Sequence, residues 1–185
     1  MSERKYLVGI DPGLETTGVA LYDPKTNSLE LFTGDIQQAV NWMGRNCKPA
    51  ECLAVIEDPN ANSLVYGGWD DFVNMGKNRS AFSRMMKKAQ QVGEVKAAAK
   101  ILIKIMDRAG YQIVTVAPSQ RQSAKKVPGT DVRLLRMPTK TTPTEFAKLT
   151  GYGMQSSEHS RDAATLVWGK SVKQIELMIL KKVTK

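Results

Sequence analysis

Short apolar runs separated by polar turns open the chain and predict β-strands. Residues 5–10, 17–22 and 29–33 form three such runs, each followed by turn-forming residues such as Pro, Gly, Asn and Asp. The later apolar runs CLAVIE at 52–57 and YQIVTVAP at 111–118 have the composition of buried strands. Five strands are therefore predicted, with the first three in hairpin succession.

The central part of the chain alternates between helical periodicity and irregular polar stretches. Apolar residues recur every three to four positions over 36–46 and over about 80–108, which predicts two helices. Residues 58–78 and 119–141 lack a period and are rich in turn formers and polar residues, so loops are expected there.

Two further helices are predicted near the C-terminus. The sequence TPTE at 142–145 has the pattern of a capping box with proline in the first helical position, and this helix is expected to end near Gly151. A last helix is expected from about Ser157, continuing through DAATLVWGKSV at 162–172. The element order predicts an α/β fold in one domain, with helices on both faces of a mixed sheet.

The composition is that of a globular protein. Of 185 residues, 42% are apolar and 24% charged, and no apolar stretch approaches the roughly 20 residues of a membrane span. The N-terminal residues do not resemble a signal peptide. Cys47 and Cys52 lack a CxxC spacing, which indicates buried thiols in a reducing compartment. We therefore expect a cytoplasmic protein, in a bacterium or a phage-infected cell, with no membrane partner.

The charge distribution points to an anionic partner. The formal net charge is +9, and residues 119–144 carry six basic residues against a single acid, Asp131. Basic charge in a loop is typical of phosphate contacts, so nucleic acid is the expected partner.

Acidic residues lie at the points where predicted elements end or begin. Asp11 ends the first strand, Glu57 ends CLAVIE, and Glu158, His159 and Asp162 open the last helix. On a helix, residues three and four positions apart share a face. If the two strands are neighbours, all these side chains meet at one edge of the sheet.

Carboxylates crowded in this way repel one another unless cations lie between them. Their oxygen atoms suit Mg²⁺ or Mn²⁺. Two such ions about 4 Å apart can activate water and stabilise the leaving oxygen of a phosphodiester. A basic protein with this acidic pattern is therefore a nuclease candidate.

Three motifs carry a resemblance to a known family. GIDPGLETTGVAL at 9–21 resembles the first strand and turn of the RuvC family of Holliday junction resolvases, within the ribonuclease H-like superfamily. AVIED at 54–58 is similar to the second acidic strand of that family, and HSRDAATL at 159–166 to its C-terminal helix. The resemblance implies a ribonuclease H-like mixed five-stranded sheet with helices on both faces.

Residue by residue, the resemblance implies a metal site and several DNA contacts. Asp11, Glu57 and Asp162 would bind Mg²⁺ or Mn²⁺, two ions per active site, with His159 as fourth ligand and Glu158 as its alternative or supplement. Lys140 would be a catalytic lysine that offsets charge on the phosphate. The candidate DNA-binding residues, which include Lys140, are Arg121, Lys125, Lys126, Arg136, Lys140, Trp69 and Phe72.

Some of these assignments have open alternatives. Either Lys125 or Lys126 matches the family's phosphate-contacting position. Tyr66, Trp69 and Phe72 either probe the junction or pack beneath their own loop. Gly93 matches a position at which a helix of the family packs closely.

The implied function is Mg²⁺-dependent cleavage of four-way DNA junctions by a homodimer that makes paired symmetric nicks. A structured-RNA nuclease of the same fold, like YqgF, would share the acids. A non-catalytic junction-binding protein would not require them. An actin- or hexokinase-type ATPase shares the glycine-rich turn but has a duplicated domain, which 185 residues would not accommodate.

Overall fold

The computed structural model of the protein describes residues 4–61, 79–118 and 141–183. Within these ranges one sheet contains the strands β1 (Tyr6–Asp11), β2 (Thr17–Asp23), β3 (Ser28–Gly34), β4 (Cys52–Glu57) and β5 (Gln112–Val116). The α-helices of the same ranges are α1 (Ile36–Asn46), α2 (Arg79–Arg108), α3 (Pro143–Thr150), α4 (Glu158–Val167) and α5 (Val172–Val183). Short 3₁₀ turns at Pro49–Glu51 and Pro59–Ala61 flank β4.

The sheet is mixed, with the strand order β3-β2-β1-β4-β5. The hairpin-connected pairs β1–β2 and β2–β3 are antiparallel, whereas β1–β4 and β4–β5 are parallel. The mixed five-stranded sheet is therefore confirmed. Its parallel part brings the carboxyl ends of β1, β4 and β5 to the same edge.

Helices cover both faces of the sheet, as predicted. Because successive side chains of a strand point to opposite faces, Leu7 and Val8 belong to different cores. The core on one face combines strand residues with α3, α4 and α5, and its fully buried members include Leu53, Phe146, Ala163, Val167 and Ile175. The core on the other face combines strand residues with α1 and α2, and its buried members include Ile10, Ile56, Met43, Leu102 and Met106.

The predicted start of α3 is confirmed in detail. The Thr142 side chain accepts a hydrogen bond from the Glu145 amide, and the Glu145 carboxylate accepts one from the Thr142 amide. Gly151 ends the helix with φ 74°, a conformation that glycine adopts readily.

The prediction of a single last helix from about Ser157 through residue 172 is wrong. Helix α4 ends at Val167, and α5 begins separately at Val172. Gly169 lies between them with φ 70°, in the left-handed region that terminates helices. The apolar residues on both sides of this glycine pack into one core, which gives the sequence a continuous helical period.

Close packing at Gly93 is not found within the described chain. A Cβ built on Gly93 meets no atom within 4 Å, and the residue lies exposed on α2.

The two cysteines are free thiols and buried, as predicted. Across the described ranges, none of the helices is long and apolar enough to span a membrane.

Candidate functional site

Asp11 and Glu57 lie side by side at the carboxyl edge of the sheet. The parallel register of β1 and β4 pairs Ile10 with Ile56, so the next residue of each strand is an acid. Buried apolar side chains precede both acids, and this fixes where the strands lie in the core. The sequence places one carboxylate at the end of each strand, and the sheet makes them neighbours.

Two glycines allow helix α4 to lie directly on the sheet. A Cβ on Gly9 would overlap the main-chain oxygen of Ala163, and a Cβ on Gly18 would overlap that of His159. Gly18 is also the residue of β2 that pairs with Asp11. Because Gly18 has no side chain, the His159 main chain can approach the strand next to Asp11.

Hydrogen bonds fix the N-terminus of α4 at this edge. Ser157 caps the helix by accepting from the Ser160 amide, and its hydroxyl is 2.6 Å from that of Thr33 in β3. This contact connects the first turn of α4 to the sheet. The turn carries Glu158 and His159, with Asp162 one turn further along the helix.

The turn that follows Asp11 is also fixed. Thr17 is fully buried, and its hydroxyl donates to the Gly13 carbonyl at 2.6 Å while accepting from the Gly13 amide at 3.4 Å. These bonds close the β1–β2 connection on itself. Asp11 therefore projects from a strand whose continuation is held in place.

Asp11 and His159 are in direct contact. His159 Nδ1 lies 3.0 Å from Asp11 Oδ2, with 48% of the His159 side chain and 17% of the Asp11 side chain exposed. The pair joins the end of β1 to the first turn of α4. We call Asp11, Glu57, Glu158, His159 and Asp162 together the acidic cluster.

The carboxylates of the acidic cluster influence one another's ionisation. Burial, followed by the charges of Asp11 and Asp162, raises the pKa of Glu57 to about 7. Burial, followed by the charges of Asp11 and Glu158, raises the pKa of Asp162 to about 6. Burial also raises the pKa of Asp11, against the opposing effect of the hydrogen bond from His159.

The shifts of Glu57 and Asp162 arise first from burial and second from the like charges of neighbouring carboxylates. A divalent cation among the carboxylates would lower their pKa values, and their hard oxygen atoms suit Mg²⁺ or Mn²⁺. The donor chemistry of the cluster therefore fits such a cation. Among the described residues, no three His, Cys, Asp or Glu side chains already converge as a preformed metal cage.

Several of the predicted site residues lie outside the described ranges. They are Trp69, Phe72, Arg121, Lys125, Lys126, Arg136 and Lys140. The other five are the members of the acidic cluster, and the fold brings them together at one edge.

The flanks of the basic segment, residues 119–140, lie next to the acidic cluster. On one side, β5 ends at Val116, which pairs with Glu57, and the Val116 carbonyl accepts from the Asp58 amide at 2.7 Å. On the other side, Thr141 is buried and its carbonyl accepts from Arg161 of α4 at 2.9 Å. The described chain therefore stops after β5, beside Glu57, and resumes at Thr141, in contact with Arg161 of α4.

Sequence reasoning missed the roles of Gly9, Gly18 and Arg161. The two glycines flank the first acidic motif at Asp11, and glycine inside an apolar strand is a known signal of close backbone approach. The signal for Arg161 was its position in the buried stripe of α4, where it is the single charged residue among Ser160, Ala163, Ala164 and Val167.

Two resolvase complexes are among the solved structures that match the chain. T. thermophilus RuvC in complex with a Holliday junction substrate is 12% identical to this chain, with a TM-score of 0.49. The matched region covers 89% of this chain and 91% of the RuvC chain. Fowlpox virus resolvase in complex with Holliday junction DNA is 11% identical, with coverages of 97% and 99% and a TM-score of 0.33. No family model and no curated protein sequence matches the chain. At these identities and TM-scores the likeness does not by itself assign an activity.

Proposed function

We propose that this protein is a divalent-metal-dependent endonuclease that resolves four-way DNA junctions. The observation that supports the proposal most strongly is the acidic cluster, in which β1, β4 and α4 bring Asp11, Glu57 and Asp162 to one sheet edge. The basic segment begins after β5, whose Val116 pairs with Glu57, and ends at Thr141, which is bonded to Arg161 of α4. A phosphodiester bound there would meet metal-binding acids and phosphate-binding cations together.

In this proposal Asp11, Glu57 and Asp162 hold the metal, with His159 as the fourth ligand. Bound divalent ions supply activation of water and stabilisation of negative charge in phosphodiester hydrolysis. The acids themselves must be ionised to bind a cation. His159, already 3.0 Å from Asp11, orients that carboxylate while about half of its own ring remains accessible.

The basic segment supplies the positive charge for the DNA. Its basic residues Arg121, Lys125, Lys126, Arg133, Arg136 and Lys140 are accompanied by a single acid, Asp131. Such contacts bind the phosphate backbone without reading its sequence. Lys140 directly precedes the anchored Thr141 and is our candidate for the lysine that offsets charge on the reacting phosphate.

We further propose that the enzyme acts as a homodimer. A four-way junction has approximate two-fold symmetry, and two active sites related by a two-fold axis would nick opposing strands. Helix α2 presents the large apolar side chains Phe82, Met86 and Ile101, which are 43–52% exposed. A second copy of the chain packed on this helix would cover these side chains.

The test is cleavage of a labelled four-way junction with Mg²⁺, using duplex DNA and an RNA–DNA hybrid as controls. We expect paired nicks on the junction, and a loss of at least a hundredfold in Asp11→Asn with junction binding retained. Asp107→Asn is the matched control, because Asp107 is exposed near the end of α2 and outside the acidic cluster.

The other outcomes contradict the proposal in different ways. Cleavage of the hybrid or of structured RNA, with the junction intact, would reassign the acidic cluster to an RNA-directed nuclease. Junction binding without cleavage in both Mg²⁺ and Mn²⁺ would leave a non-catalytic binding protein. Equal cleavage by wild type and Asp11→Asn would remove the acidic cluster from the reaction.

A further inference from the structure

An apolar groove lies at the edge of the sheet opposite the acidic cluster. It forms where the end of α1, the 3₁₀ turn before β4 and the end of α2 meet, and its lining includes Met43, Gly44, Pro49, Ile105, Ala109 and Tyr111. Its volume of about 160 Å³ is comparable to that of a cavity that binds one aromatic ring. The groove therefore has the size and the lining to take a single large apolar side chain.

Hydrogen bonds fix the walls of this groove. Met43 and Met106 are 1% exposed and Tyr111 is 8% exposed, so these three residues form its floor. The Tyr111 hydroxyl donates to the Cys47 carbonyl at 2.9 Å, and the Tyr111 amide donates to the Met106 carbonyl at 3.0 Å. These bonds hold the ends of α1 and α2 to the chain that precedes β5. A groove formed in advance binds its occupant without the cost of ordering the site.

Two small residues open the groove to solvent. Gly44 of α1 and Ala109, which follows α2, both line the groove and are exposed. A Cβ built on Gly44 meets no atom within 4 Å. Glycine within a helix is less favourable than alanine, and no close contact within the described chain requires a glycine here. A larger side chain at either position would fill the groove.

Positive charge surrounds the groove. Residues 44–51 and 104–111 contribute most of its walls, and the basic residues of these stretches are Arg45, Lys48, Lys104 and Arg108. The acids of the same stretches are Glu51 and Asp107. All four basic residues are exposed, and the ion pairs formed among the described residues include none of them. Their charges are therefore available to an anionic partner.

We propose that this groove binds an acidic segment of a partner protein. One apolar side chain of that segment enters the groove, and carboxylates on either side of it meet the basic rim. Complementary charge on the rim supplies specificity and fast association, while burial of the apolar side chain supplies affinity.

The lining and the charge favour this occupant over two others. A second copy of the chain carries a net charge of +9, so its surface does not complement a basic rim. A nucleobase in the groove would need hydrogen-bond partners for its polar edge. Tyr111 carries the one polar side chain among the lining residues, and its hydroxyl already donates to Cys47.

The groove and the acidic cluster can be occupied at the same time. Pro49 and Tyr111 precede the amino ends of β4 and β5, whereas Glu57 ends β4 at the other edge. The six residues of β4 separate these edges by about 17 Å. The inference therefore does not depend on the proposed nuclease function, and a bound partner would leave the acidic cluster open.

Fluorescence anisotropy with a labelled peptide tests the proposal. The probe has four glutamates on each side of a central leucine or phenylalanine, tested in turn at low salt. We expect saturable binding that is at least tenfold weaker when the central residue is serine, because the groove then stays empty. Binding should also weaken as NaCl is raised, because salt screens the rim.

Variants of the full chain locate the bound peptide. Gly44→Leu places an apolar side chain in the groove and should weaken peptide binding at least tenfold, whereas Gly44→Ala, the matched control, should change it less than threefold. Lys48→Glu combined with Arg108→Glu should weaken it at least tenfold by reversing charge on the rim. If Gly44→Leu does not fold, Ala109→Leu fills the same groove from the opposite wall.

Three results would overturn the proposal. The first is that neither peptide binds saturably. The second is that charge reversal weakens binding but neither Gly44→Leu nor Ala109→Leu does, which would leave only general attraction between the peptide and a basic protein. The third is that labelled oligothymidine binds more tightly than the peptides and loses its affinity in Gly44→Leu, which would assign the groove to nucleic acid.

Discussion

Asp11 interacts with every other member of the acidic cluster. It bonds His159, its charge raises the pKa of both Glu57 and Asp162, and its own pKa responds to Glu158. At the scale of single residues, the acidic cluster is therefore one electrostatic unit. Changing Asp11 is therefore expected to alter the pKa values of Glu57 and Asp162.

Glu57 should lower the stability of the metal-free protein at neutral and alkaline pH. Its pKa is about 7 in the fold and 4.5 for the unperturbed group, so the folded state holds the extra proton between these values. Stability contributed by the protonated form is present below pH 4.5 and lost as the pH rises through 7. We expect Glu57→Gln to raise the Tm in EDTA at pH 8 by about 2–4 °C, which corresponds to about 1 kcal/mol for a chain of this size.

Thermal unfolding at pH 4, 6 and 8 checks this expectation. The advantage of Glu57→Gln should disappear at pH 4, and Mg²⁺ at pH 8 should stabilise wild type more than the variant. The variant should nevertheless be inactive, since an amide cannot replace a metal-binding carboxylate. A lower Tm for Glu57→Gln at pH 8 without metal would contradict the electrostatic account.

The fourth ligand can be assigned by comparing two neighbouring residues. His159 contacts Asp11 directly, whereas Glu158 acts on Asp11 through its charge. We expect His159→Asn to weaken Mg²⁺ or Mn²⁺ affinity at least tenfold and Glu158→Gln to weaken it less than threefold. Isothermal titration with Mn²⁺ measures both, and the reverse ranking would identify Glu158 as the ligand.

At the scale of elements, the seating of α4 on the sheet decides whether the acidic cluster assembles. Gly9 and Gly18 leave the space that the helix backbone occupies, and Ser157 holds the first turn to β3. The helix therefore carries Asp162 to the strand ends only because these strand positions lack side chains. Glycine is required here by the contact and not by the strand conformation.

Gly18→Ala and Gly93→Ala should have opposite effects on stability. A methyl group at Gly18 would overlap the His159 main chain, so we expect a loss of about 1–3 kcal/mol and displacement of His159 from Asp11. A methyl group at Gly93 meets open space on α2, where alanine is favoured over glycine by about 0.5–1 kcal/mol.

Urea unfolding of both variants is the measurement. Stabilisation by Gly93→Ala with loss of stability in Gly18→Ala would confirm the two environments. Destabilisation of Gly93→Ala instead would show that another chain packs against α2 at this glycine. A neutral Gly18→Ala would mean that α4 does not lie on β2 as closely as described.

At the scale of the whole molecule, α2 carries apolar side chains that the core does not bury. Ala98, Ala99, Leu102 and Met106 face the sheet, while Phe82, Met86 and Ile101 remain exposed. The proposed dimer would cover this surface. The two active sites would then be carried by one rigid assembly.

Met86→Glu should convert the dimer to a monomer, because it introduces a charge into the proposed contact. We expect sedimentation to show a loss of dimer at micromolar concentration, and junction cleavage to change from paired nicks to single nicks. Asp107→Asn, at an exposed residue of the same helix outside these apolar side chains, serves as control. A variant that remains dimeric, or a monomeric wild type that makes paired nicks, would contradict this dimer surface.

The amino-acid sequence by itself determined the strands, most helix bounds and the acids at the ends of elements. These features depend on local periodicity, on capping as at Thr142, and on turn residues such as those after Asp11, all of which act over a few positions. The break at Gly169 was missed because the apolar period continues through it, although a glycine at a helix end was a visible signal.

Only the tertiary structure decided that these acids form one cluster. The parallel pairing of β1 with β4, the approach of His159 to Gly18 and the bond from Arg161 to Thr141 all join residues distant in the chain. No local pattern encodes which strands become neighbours, because that choice depends on burying both faces of the sheet at once. The sequence supplied the chemical groups, and packing set the distances at which those groups act on one another.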